Sequence, residues 1–246
     1  MSERAGGPLT VVVPMYNEAG TLSTVLEKVL AQPLVGEVVL VDDGSGDETR
    51  AIAKTWEEKE ERVRFLVHDH NQGKGAALRT GFQAATRDFV IVQDADLEYD
   101  PGDFERVVGP LVEDKADVVY GSRYLRSDPR RVLKFWHTMG NRFLTLLSNM
   151  ASDLYVTDME TCYKAFRREV IQAIEIEENR FGFEPEVTAK LARMEVRVME
   201  TSVAYYPRSY DEGKKIGVKD GFRAIWCVWR YNVTDKTTIQ WKRDHD

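Results

Sequence analysis

Cysteine is scarce in this sequence, and its scarcity excludes several classes of protein. Cys162 and Cys227 are the only cysteines in a chain of 246 residues. Their number and spacing match neither a disulfide framework nor a zinc site. We therefore predict two free thiols in a reducing compartment.

Long apolar runs are missing as well. The N-terminal segment MSERAGGPLT lacks the apolar core of a signal peptide, and no run of about 18 apolar residues occurs in the sequence. A secretion signal and a membrane-spanning helix are both disfavoured. We expect a cytoplasmic chain, either free or peripheral on the cytoplasmic face of the membrane.

An excess of positive charge is also absent. The sequence has 34 lysines and arginines against 41 aspartates and glutamates, a net charge of −7. This balance argues against a protein that binds nucleic acid through general electrostatics, so no nucleic-acid partner is expected. With 43% hydrophobic residues, the chain can bury a sizeable core as one large domain or two small ones.

Short β-branched runs alternate with helical patterns through the first 120 residues. The predicted strands are Leu9–Pro14, Glu37–Asp42, Val63–His68, Phe89–Gln93 and Asp117–Tyr120. The predicted helices are Thr21–Ala31, Asp47–Glu60, Gly73–Thr86 and Pro101–Leu111. Continuous apolar strands separated by helices predict an α/β fold, a doubly wound and mostly parallel central sheet with helices on both faces. Ligands bind such sheets beyond the carboxyl ends of the strands.

After Tyr120 this alternation stops, and amphipathic helices dominate. We predict helices over Phe135–Leu154, near Pro185–Met194 and over Val218–Tyr231, with a strand near Val196–Ala204. A basic, glycine-containing loop at Tyr206–Gly217 precedes the last helix. The tail from Thr234 is polar and is expected to fray.

Polar residues follow the first two predicted strands. The first strand runs into Pro14-Met15-Tyr16-Asn17-Glu18, and the second into Asp42-Asp43-Gly44-Ser45. Carboxylates at this edge of the sheet could accept hydrogen bonds from the base or ribose of a nucleoside. Taken alone, Asp-Asp-Gly-Ser fits a turn with a helix cap equally well.

The fourth predicted strand leads into three acids at alternate positions, Asp94, Asp96 and Glu98. In an extended segment, alternate side chains share a side, so these carboxylates could converge on one hard cation. A divalent ion of this kind neutralises a nucleoside diphosphate leaving group. The alternative is that the acids only cap the next helix.

A glycine-rich segment precedes the third predicted helix, His70-Asn71-Gln72-Gly73-Lys74-Gly75. Its amides and Lys74 could meet an anion at the helix N-terminus, or the segment is a turn with Lys74 in solvent. The spacing is not that of a P-loop. His68 and His70 lack a third ligand and are predicted to be structural.

Together these segments resemble the inverting family-two glycosyltransferases of GT-A fold, in the branch with dolichol-phosphate mannose synthase and related polyprenyl-phosphate glycosyltransferases. The resemblance covers most of the chain, from the first strand to about Tyr231. It rests on the order VVVPMYNE, VVLVDDGSGD, NQGKGAALRTG, DADLEYDP, VVYGSRYL, GNRFLTLLSN, TDMETCYKAFRR, FGFEPEVTAKLAR and YYPRSYDEGKKIGVKDG.

The resemblance implies an activity and its site residues. A hexose, mannose or glucose, would pass from a GDP- or UDP-linked donor to a polyprenyl or dolichyl phosphate, with inversion and with Mg²⁺ or Mn²⁺. The implied donor contacts are Pro14, Tyr16, Glu18, Val41, Asp43, Asp94, Ala95, Asp96, Arg123, Arg208 and Lys214, and the metal ligands are Asp94, Asp96 and Glu98. The dolichol branch often has glutamine where Glu98 stands, which leaves the preferred metal open.

The implied acceptor side centres on three catalytic residues, Asp158, Arg123 and Arg142. The two arginines, with Ser148, would face the acceptor phosphate. Arg208, Lys214 and Lys215 belong to a loop that closes over the donor diphosphate in the family, although the basic loop alone also fits a solvated connection.

Asp158 has three open roles. It could be a general base toward an alcohol acceptor, or it could orient the sugar or a basic partner, because a phosphate acceptor is already an anionic nucleophile. It could also only cap the following helix.

This interpretation divides the chain into one catalytic domain, residues 1–233, and a polar tail, residues 234–246. Residues 1–120 form the nucleotide-sugar half, and residues 121–233 form the acceptor half with the closing loop. The alternatives are the same transfer to a sugar or small-molecule hydroxyl, and a membrane-peripheral scaffold with an inactive site.

A lipid acceptor requires the chain to reach a membrane. In the last predicted helix, Phe222, Ile225, Trp226 and Trp229 share one face, flanked by Lys219, Arg223 and Arg230. This pattern suits a membrane interface, as does the predicted helix from Phe135, but either stripe could instead pack as core. A separate membrane protein partner is the other route to the lipid.

Overall fold

The computed structural model describes residues 6–125, 131–207, 218–235, 239 and 241. Its first half is a parallel sheet of four strands linked by helices. The strands are β1 (Leu9–Met15), β2 (Val35–Asp42), β3 (Val63–Val67) and β4 (Phe89–Val92). The helices between them are α1 (Leu22–Leu30), α2 (Thr49–Lys59) and α3 (Lys74–Ala84).

The second half adds three strands and five helices among the described residues. A 3₁₀ turn at Pro101–Asp103 leads into α4, and a π-helical turn at Arg230–Thr234 follows α8. The strands are β5 (Val118–Ser122), β6 (Lys164–Arg167) and β7 (Val198–Ser202). The helices are α4 (Phe104–Val112), α5 (Phe135–Ser152), α6 (Arg168–Ala173), α7 (Phe183–Leu191) and α8 (Val218–Trp229).

All seven strands form one sheet in the order β3-β2-β1-β4-β6-β5-β7. β6 runs antiparallel to β4 and β5, whereas the other strand pairs described are parallel. Every residue of β1 and β4 is buried, which is typical of strands covered by helices on both faces. The predicted mostly parallel, doubly wound sheet is confirmed.

β6 and α6 are absent from the sequence-based prediction. β6 has only four residues, and it begins with a fully buried lysine, Lys164. A charged residue within a short strand removes the continuous apolar run by which the other central strands are recognised.

The order of the strands locates the site. β1 lies between β2 and β4, so the chain winds away from β1 in both directions. A crevice forms at such a reversal, outside the carboxyl ends of the strands. The predicted ligand-binding residues follow β1, β2 and β4 and therefore meet at this crevice.

None of the helices in the described ranges is long and apolar enough to cross a membrane. α5 has 18 residues, but polar side chains interrupt its apolar stripe. Cys162 and Cys227 are both buried as free thiols.

A glycine brings α3 against the sheet. A Cβ on Gly81 would lie 2.3 Å from Cγ1 of Val12 in β1, so the close approach of helix and strand depends on the missing side chain. We expect Gly81→Ala to lower the free energy of unfolding by about 2 kcal/mol, because the core must move to admit the methyl group. The measurement is thermal unfolding followed by circular dichroism.

Gly109 in α4 is the matched control for this prediction. A Cβ there meets no atom within 4 Å, and alanine is the better helix former by about 1 kcal/mol. Gly109→Ala should therefore leave the melting temperature unchanged or raise it. Equal effects of the two substitutions would contradict the packing account of Gly81.

Candidate active site

A cavity of about 940 Å³ opens at the carboxyl ends of β1, β2 and β4. Its wall comes from both halves of the chain, including the strand-end residues of the first half and Arg123, Glu160 and Glu184 of the second. Among the predicted donor contacts, those in the wall are Pro14, Tyr16, Glu18, Asp43, Asp94, Ala95, Asp96 and Arg123.

Of the other predicted donor contacts, the structure describes only Val41, which is not in the wall. The side chain of Val41 is fully buried in a small apolar cluster with Val39 and Ala77, because it points into the layer between β2 and α3. Arg208 and Lys214 lie outside the described residues, as does Lys215 of the same predicted closing loop.

Asp43 organises the end of the cavity at β2. Its Oδ1 accepts hydrogen bonds from the Gln72 amide at 3.0 Å, and its Oδ2 accepts from the Gly73 amide at 2.7 Å. His68 lies between Asp43 and Thr80, with Nδ1 2.8 Å from Oδ1 of Asp43 and Nε2 2.9 Å from Oγ1 of Thr80. The carboxylate therefore fixes the glycine-rich segment that begins α3, and His68 has the structural position that its sequence context predicts.

Lys74 does not face solvent but joins two carboxylates in the cavity wall. Its Nζ lies 2.9 Å from Oδ1 of Asp94 and 3.6 Å from Oε1 of Glu184. Burial disfavours the charged amine, yet the charges of Asp94 and Glu184 hold the pKa of Lys74 well above its ordinary value. The ammonium group thus remains charged and offsets part of the negative charge of the site.

The acidic segment after β4 is a turn, so the prediction of an extended segment with three carboxylates on one side is wrong. Residues 95 and 96 lie in the turn, and Leu97 has a φ of 61°. Oδ1 of Asp96 accepts a hydrogen bond from the Glu98 amide at 3.0 Å, and Oε2 of Glu98 accepts one from the Tyr205 hydroxyl at 3.0 Å. These contacts hold the segment in a turn, not in the extended conformation that the sequence predicts.

The part of the chain that is described contains no group of three or more His, Cys, Asp and Glu side chains arranged to hold a metal ion. Asp94, Asp96 and Glu98 nevertheless all line the cavity. Their oxygen donors suit Mg²⁺ or Mn²⁺, and Mg²⁺ is commonly held by one or two carboxylates together with substrate phosphates. The residues therefore fit an ion shared with a diphosphate, not an ion caged by three carboxylates.

A buried ion pair belongs to the part of the cavity wall that comes from the second half of the chain. Arg123 follows β5, and its Nε and one terminal nitrogen donate to the two carboxylate oxygens of Asp158, both at 2.7 Å. The Arg123 amide adds a third hydrogen bond to Asp158 at 3.0 Å. Asp158 is fully buried and Arg123 lines the cavity. Both oxygens of Asp158 are thus occupied by the arginine that it orients.

The α5–β6 loop, residues 153–163, carries Asp158 and is fixed from two sides. The buried ammonium group of Lys164 donates to the carbonyl oxygens of Met159 and Thr161. On the other side, the side-chain amide of Asn149 in α5 exchanges two hydrogen bonds with the backbone of Val156. The strand that the sequence analysis missed therefore supplies the residue that shapes this loop.

Arg142 and Ser148, which were predicted to face the acceptor phosphate with Arg123, lie on different sides of α5. Arg142 is exposed, and its guanidinium carbon is 5.4 Å from the centroid of the Tyr124 ring, which Arg123 also approaches at 5.8 Å. Ser148 is fully buried and is not part of the cavity wall. The structure thus brings the two arginines to one aromatic ring but leaves Ser148 in the interior.

Glu160 is a residue of the cavity that sequence reasoning missed. It follows Asp158 in the α5–β6 loop, and its Oε1 is buried without a hydrogen-bond partner in the structure described. Burial and the nearby carboxylate of Glu184 raise the pKa of Glu160 to about 8. At neutral pH this side chain is a neutral acid. The sequence signal is its place in TDMETC, two residues after the predicted catalytic aspartate.

The comparisons with known proteins agree with this geometry. The family model described as Glycosyl transferase family 2 matches residues 10–175, which is more than half of the chain. The chain belongs to glycosyl transferase family 2. The matched residues include the acids after β2 and β4 that line the cavity.

Two named relatives of this glycosyltransferase come from an archaeon and a bacterium. Glycosyltransferase AglD of Haloferax volcanii is 31% identical over 95% of the chain and 39% of its own length. The undecaprenyl-phosphate 4-deoxy-4-formamido-L-arabinose transferase of Yersinia enterocolitica is 28% identical over 84% of the chain and 62% of its own length. The chain therefore spans about two fifths of the first relative and about three fifths of the second.

Solved structures support the fold. Glucosyl-3-phosphoglycerate synthase of Mycobacterium tuberculosis, in a complex with Mn²⁺, UDP and its product, has a TM-score of 0.70 and 20% identity, with 93% of this chain and 81% of that chain covered. The glycosyltransferase thus has the GT-A fold that the sequence resemblance implied.

The raised pKa of Glu160 makes a prediction about stability. The folded protein binds a proton at Glu160 more tightly than the unfolded chain does, so protonation stabilises the fold. This stabilisation is complete below the unfolded pKa, near 4.5, and is lost as the pH rises through about 8. Glutamine stays neutral at every pH, so its stability does not fall in this way. We therefore expect Glu160→Gln to be more stable than the parent at pH 8.5 by about 2 kcal/mol, or about 4–8 °C in Tm, and to differ little at pH 4.5.

Melting temperatures of both proteins across pH 4.5–8.5 provide the measurement. Glu169→Gln is the control, because Glu169 is an exposed acid at the start of α6 and should give parallel pH profiles. A constant difference between Glu160→Gln and the parent across this range would contradict the raised pKa.

Proposed function

We propose that this glycosyltransferase transfers a hexose, mannose or glucose, from a GDP- or UDP-linked donor to a polyprenyl phosphate, with inversion at the anomeric carbon. The observation that carries the proposal is Arg123. A permanently charged guanidinium lines the cavity, and a buried carboxylate fixes its orientation. Such a group suits an anionic acceptor better than a neutral hydroxyl.

The occupied carboxylate of Asp158 also favours a phosphate acceptor. A sugar hydroxyl needs a base that removes its proton as it attacks, whereas a phosphate monoester is already an anionic nucleophile near neutral pH. Asp158 makes three hydrogen bonds to Arg123 and therefore serves as the partner that orients this arginine. An oxygen of the acceptor phosphate would attack the anomeric carbon from the side opposite the departing diphosphate.

On the donor side, the proposal assigns the nucleoside to the ends of β1 and β2 and the diphosphate to the turn after β4. Asp96, with Asp94 or Glu98, would hold Mg²⁺ or Mn²⁺ together with the diphosphate oxygens. The ion would supply charge neutralisation for the leaving group. Lys74 already pairs with Asp94, so it limits the net negative charge that a diphosphate meets.

The two halves of the chain, which both contribute to the wall of the cavity, would bind different substrates. Residues 1–120 would bind the nucleotide sugar, and residues 121–233 would bind the acceptor. The Yersinia relative is named as an undecaprenyl-phosphate sugar transferase, and this likeness supports a polyprenyl phosphate acceptor.

The wall of the cavity extends to α5 and α8, where apolar side chains stand beside the polar His137 and Asn141. Trp136, Gly140 and Leu144 of α5 and Gly221 and Ala224 of α8 all line the cavity. The hydrocarbon chain of a polyprenyl phosphate could leave the polar site between these two helices while the phosphate stays at Arg123.

The same two helices expose apolar side chains of the kind that enter a membrane interface. Phe143 and Met150 of α5 are 53% and 75% exposed, and Phe222 and Trp229 of α8 are 71% and 53% exposed. Trp226 is less available, because Arg223 stacks on its ring at 4.2 Å. We propose that the glycosyltransferase lies peripherally on the cytoplasmic face of the membrane through this surface.

The second candidate function is the same transfer to a sugar or small-molecule hydroxyl. The exposed apolar side chains would then have no substrate-related role. A binding protein with an inactive site is disfavoured, because acids remain at the ends of β1, β2 and β4 around an open cavity.

The test of the reaction is a transfer assay with radiolabelled GDP-mannose and UDP-glucose, undecaprenyl phosphate in detergent, and Mg²⁺ or Mn²⁺. We expect label in a lipid monophosphate product, and undecaprenol should accept none. Asp96→Asn should lower turnover at least a hundredfold while the melting temperature changes little, because asparagine keeps an oxygen that can accept a hydrogen bond from the Glu98 amide and removes only the charge. Label on undecaprenol, or on water-soluble sugars only, would contradict the lipid phosphate acceptor.

The membrane surface has its own prediction. The parent should co-sediment with liposomes that contain anionic lipid, and salt should weaken this binding. The paired replacements Phe143→Ser with Met150→Ser, and Phe222→Ser with Trp229→Ser, should each reduce the bound fraction severalfold. Val112→Ser on α4, where Val112 is half exposed, is the control and should bind as the parent does. Equal binding of all variants would place the membrane contact elsewhere.

A further inference from the structure

Glu160 lines the cavity, but the proposed reaction assigns it no role. Glu184 lines the cavity beside the donor-side acids, since it contacts Lys74, which in turn contacts Asp94. Glu160 lines the cavity beside the acceptor-side pair of Arg123 and Asp158. Through these contacts the two glutamates connect Lys74 and Asp94, on the proposed donor side, with Arg123 and Asp158, on the proposed acceptor side.

The transferred sugar must lie beside these residues, because its anomeric carbon is bonded to the donor diphosphate and is attacked by the acceptor. Sugar hydroxyl groups both donate and accept hydrogen bonds. A buried polar atom without a partner is costly, and Oε1 of Glu160 is such an atom. A hydroxyl group of the sugar would supply the missing partner.

We propose that the Glu160 carboxyl group binds a hydroxyl of the transferred hexose and thereby helps to select the donor sugar. This role rests on the proposed function, since it requires a nucleotide-sugar donor in the cavity. It assigns to Glu160 contact with the donor's sugar and no part in proton transfer.

The surroundings of Glu160 favour the neutral form for this task. The charged groups that face it are Glu184 of α7, Lys164 of β6, Arg123 after β5 and Asp158 of its own loop. A neutral carboxyl group can both donate to and accept from a hydroxyl. It also places no additional negative charge beside two phosphate-binding ends, where an ionised glutamate would repel both substrates.

The α5–β6 loop is built so that this side chain is held in place. Lys164 binds the carbonyl oxygens on either side of Glu160, those of Met159 and Thr161. Asp158 is fixed by Arg123. The backbone on both sides of Glu160 is therefore fixed, so less entropy is lost when this residue binds a ligand. Such rigidity favours selectivity.

The test compares the binding of nucleotide sugars with that of the matching nucleoside diphosphates. Isothermal titration calorimetry at pH 7 with Mn²⁺ would measure UDP-glucose against UDP and GDP-mannose against GDP, for the parent, Glu160→Ala and Glu160→Gln. We expect Glu160→Ala to lower the affinity for the nucleotide sugar about tenfold and to change the affinity for the matching nucleoside diphosphate less than twofold. Glu160→Gln, which keeps a neutral donor and acceptor, should retain affinity for the sugar nucleotide within threefold.

Each other outcome has a definite meaning. Equal losses of the nucleotide sugar and the nucleoside diphosphate, unchanged binding of both, or a loss in Glu160→Gln as large as in Glu160→Ala would overturn the role of Glu160. A parent that binds none of the four nucleotides would overturn the proposed donor and this role together. Glu169→Ala serves as the control and should bind as the parent does.

Discussion

The ion pair between Arg123 and Asp158 is the interaction on which the acceptor half of the site depends. Both groups are buried, and removal of one partner from such a pair typically costs about 3–5 kcal/mol, because the other charge is left uncompensated. The pair links the end of β5 to the α5–β6 loop. It therefore fixes together the cation at the cavity wall and the loop that carries Glu160. The fold thus keeps a charged group, held by its carboxylate partner, in the wall of the cavity.

The donor half follows a different principle, in which carboxylates organise backbone. Asp43 binds the amides that begin α3, and this contact sets the position of Lys74. Lys74 in turn connects Asp94 with Glu184. Lys74 therefore links an acid of the first half to an acid of the second half and offsets part of their charge. A diphosphate and a phosphate can enter such a site without meeting an uncompensated wall of one sign.

Much of this architecture is predictable from the sequence, and the failures have physical causes. The continuous apolar runs identify β1 to β5, and the polar residues after them identify the cavity edge, because both signals are local. β6 is missed because its first residue, Lys164, is a buried charge, which interrupts the apolar run in a strand of only four residues. The turn after β4 is missed because its geometry depends on local hydrogen bonds and on the positive φ of Leu97. Glu160 is missed because the raised pKa arises from burial and from Glu184, which is remote in sequence.

The central claim is that Asp158 orients Arg123 toward an anionic acceptor and does not remove a proton. Steady-state kinetics of Asp158→Asn in the lipid-phosphate transfer assay test it most directly, with Arg123→Lys as the companion variant and melting curves to establish that both fold. We expect both substitutions to raise the KM for undecaprenyl phosphate at least tenfold and to change the KM for the donor less than threefold. The shape of the pH–rate profile should stay the same. A loss of kcat of a hundredfold or more in Asp158→Asn alone, with an unchanged acceptor KM and a missing acidic limb in the profile, would contradict it and identify Asp158 as the general base.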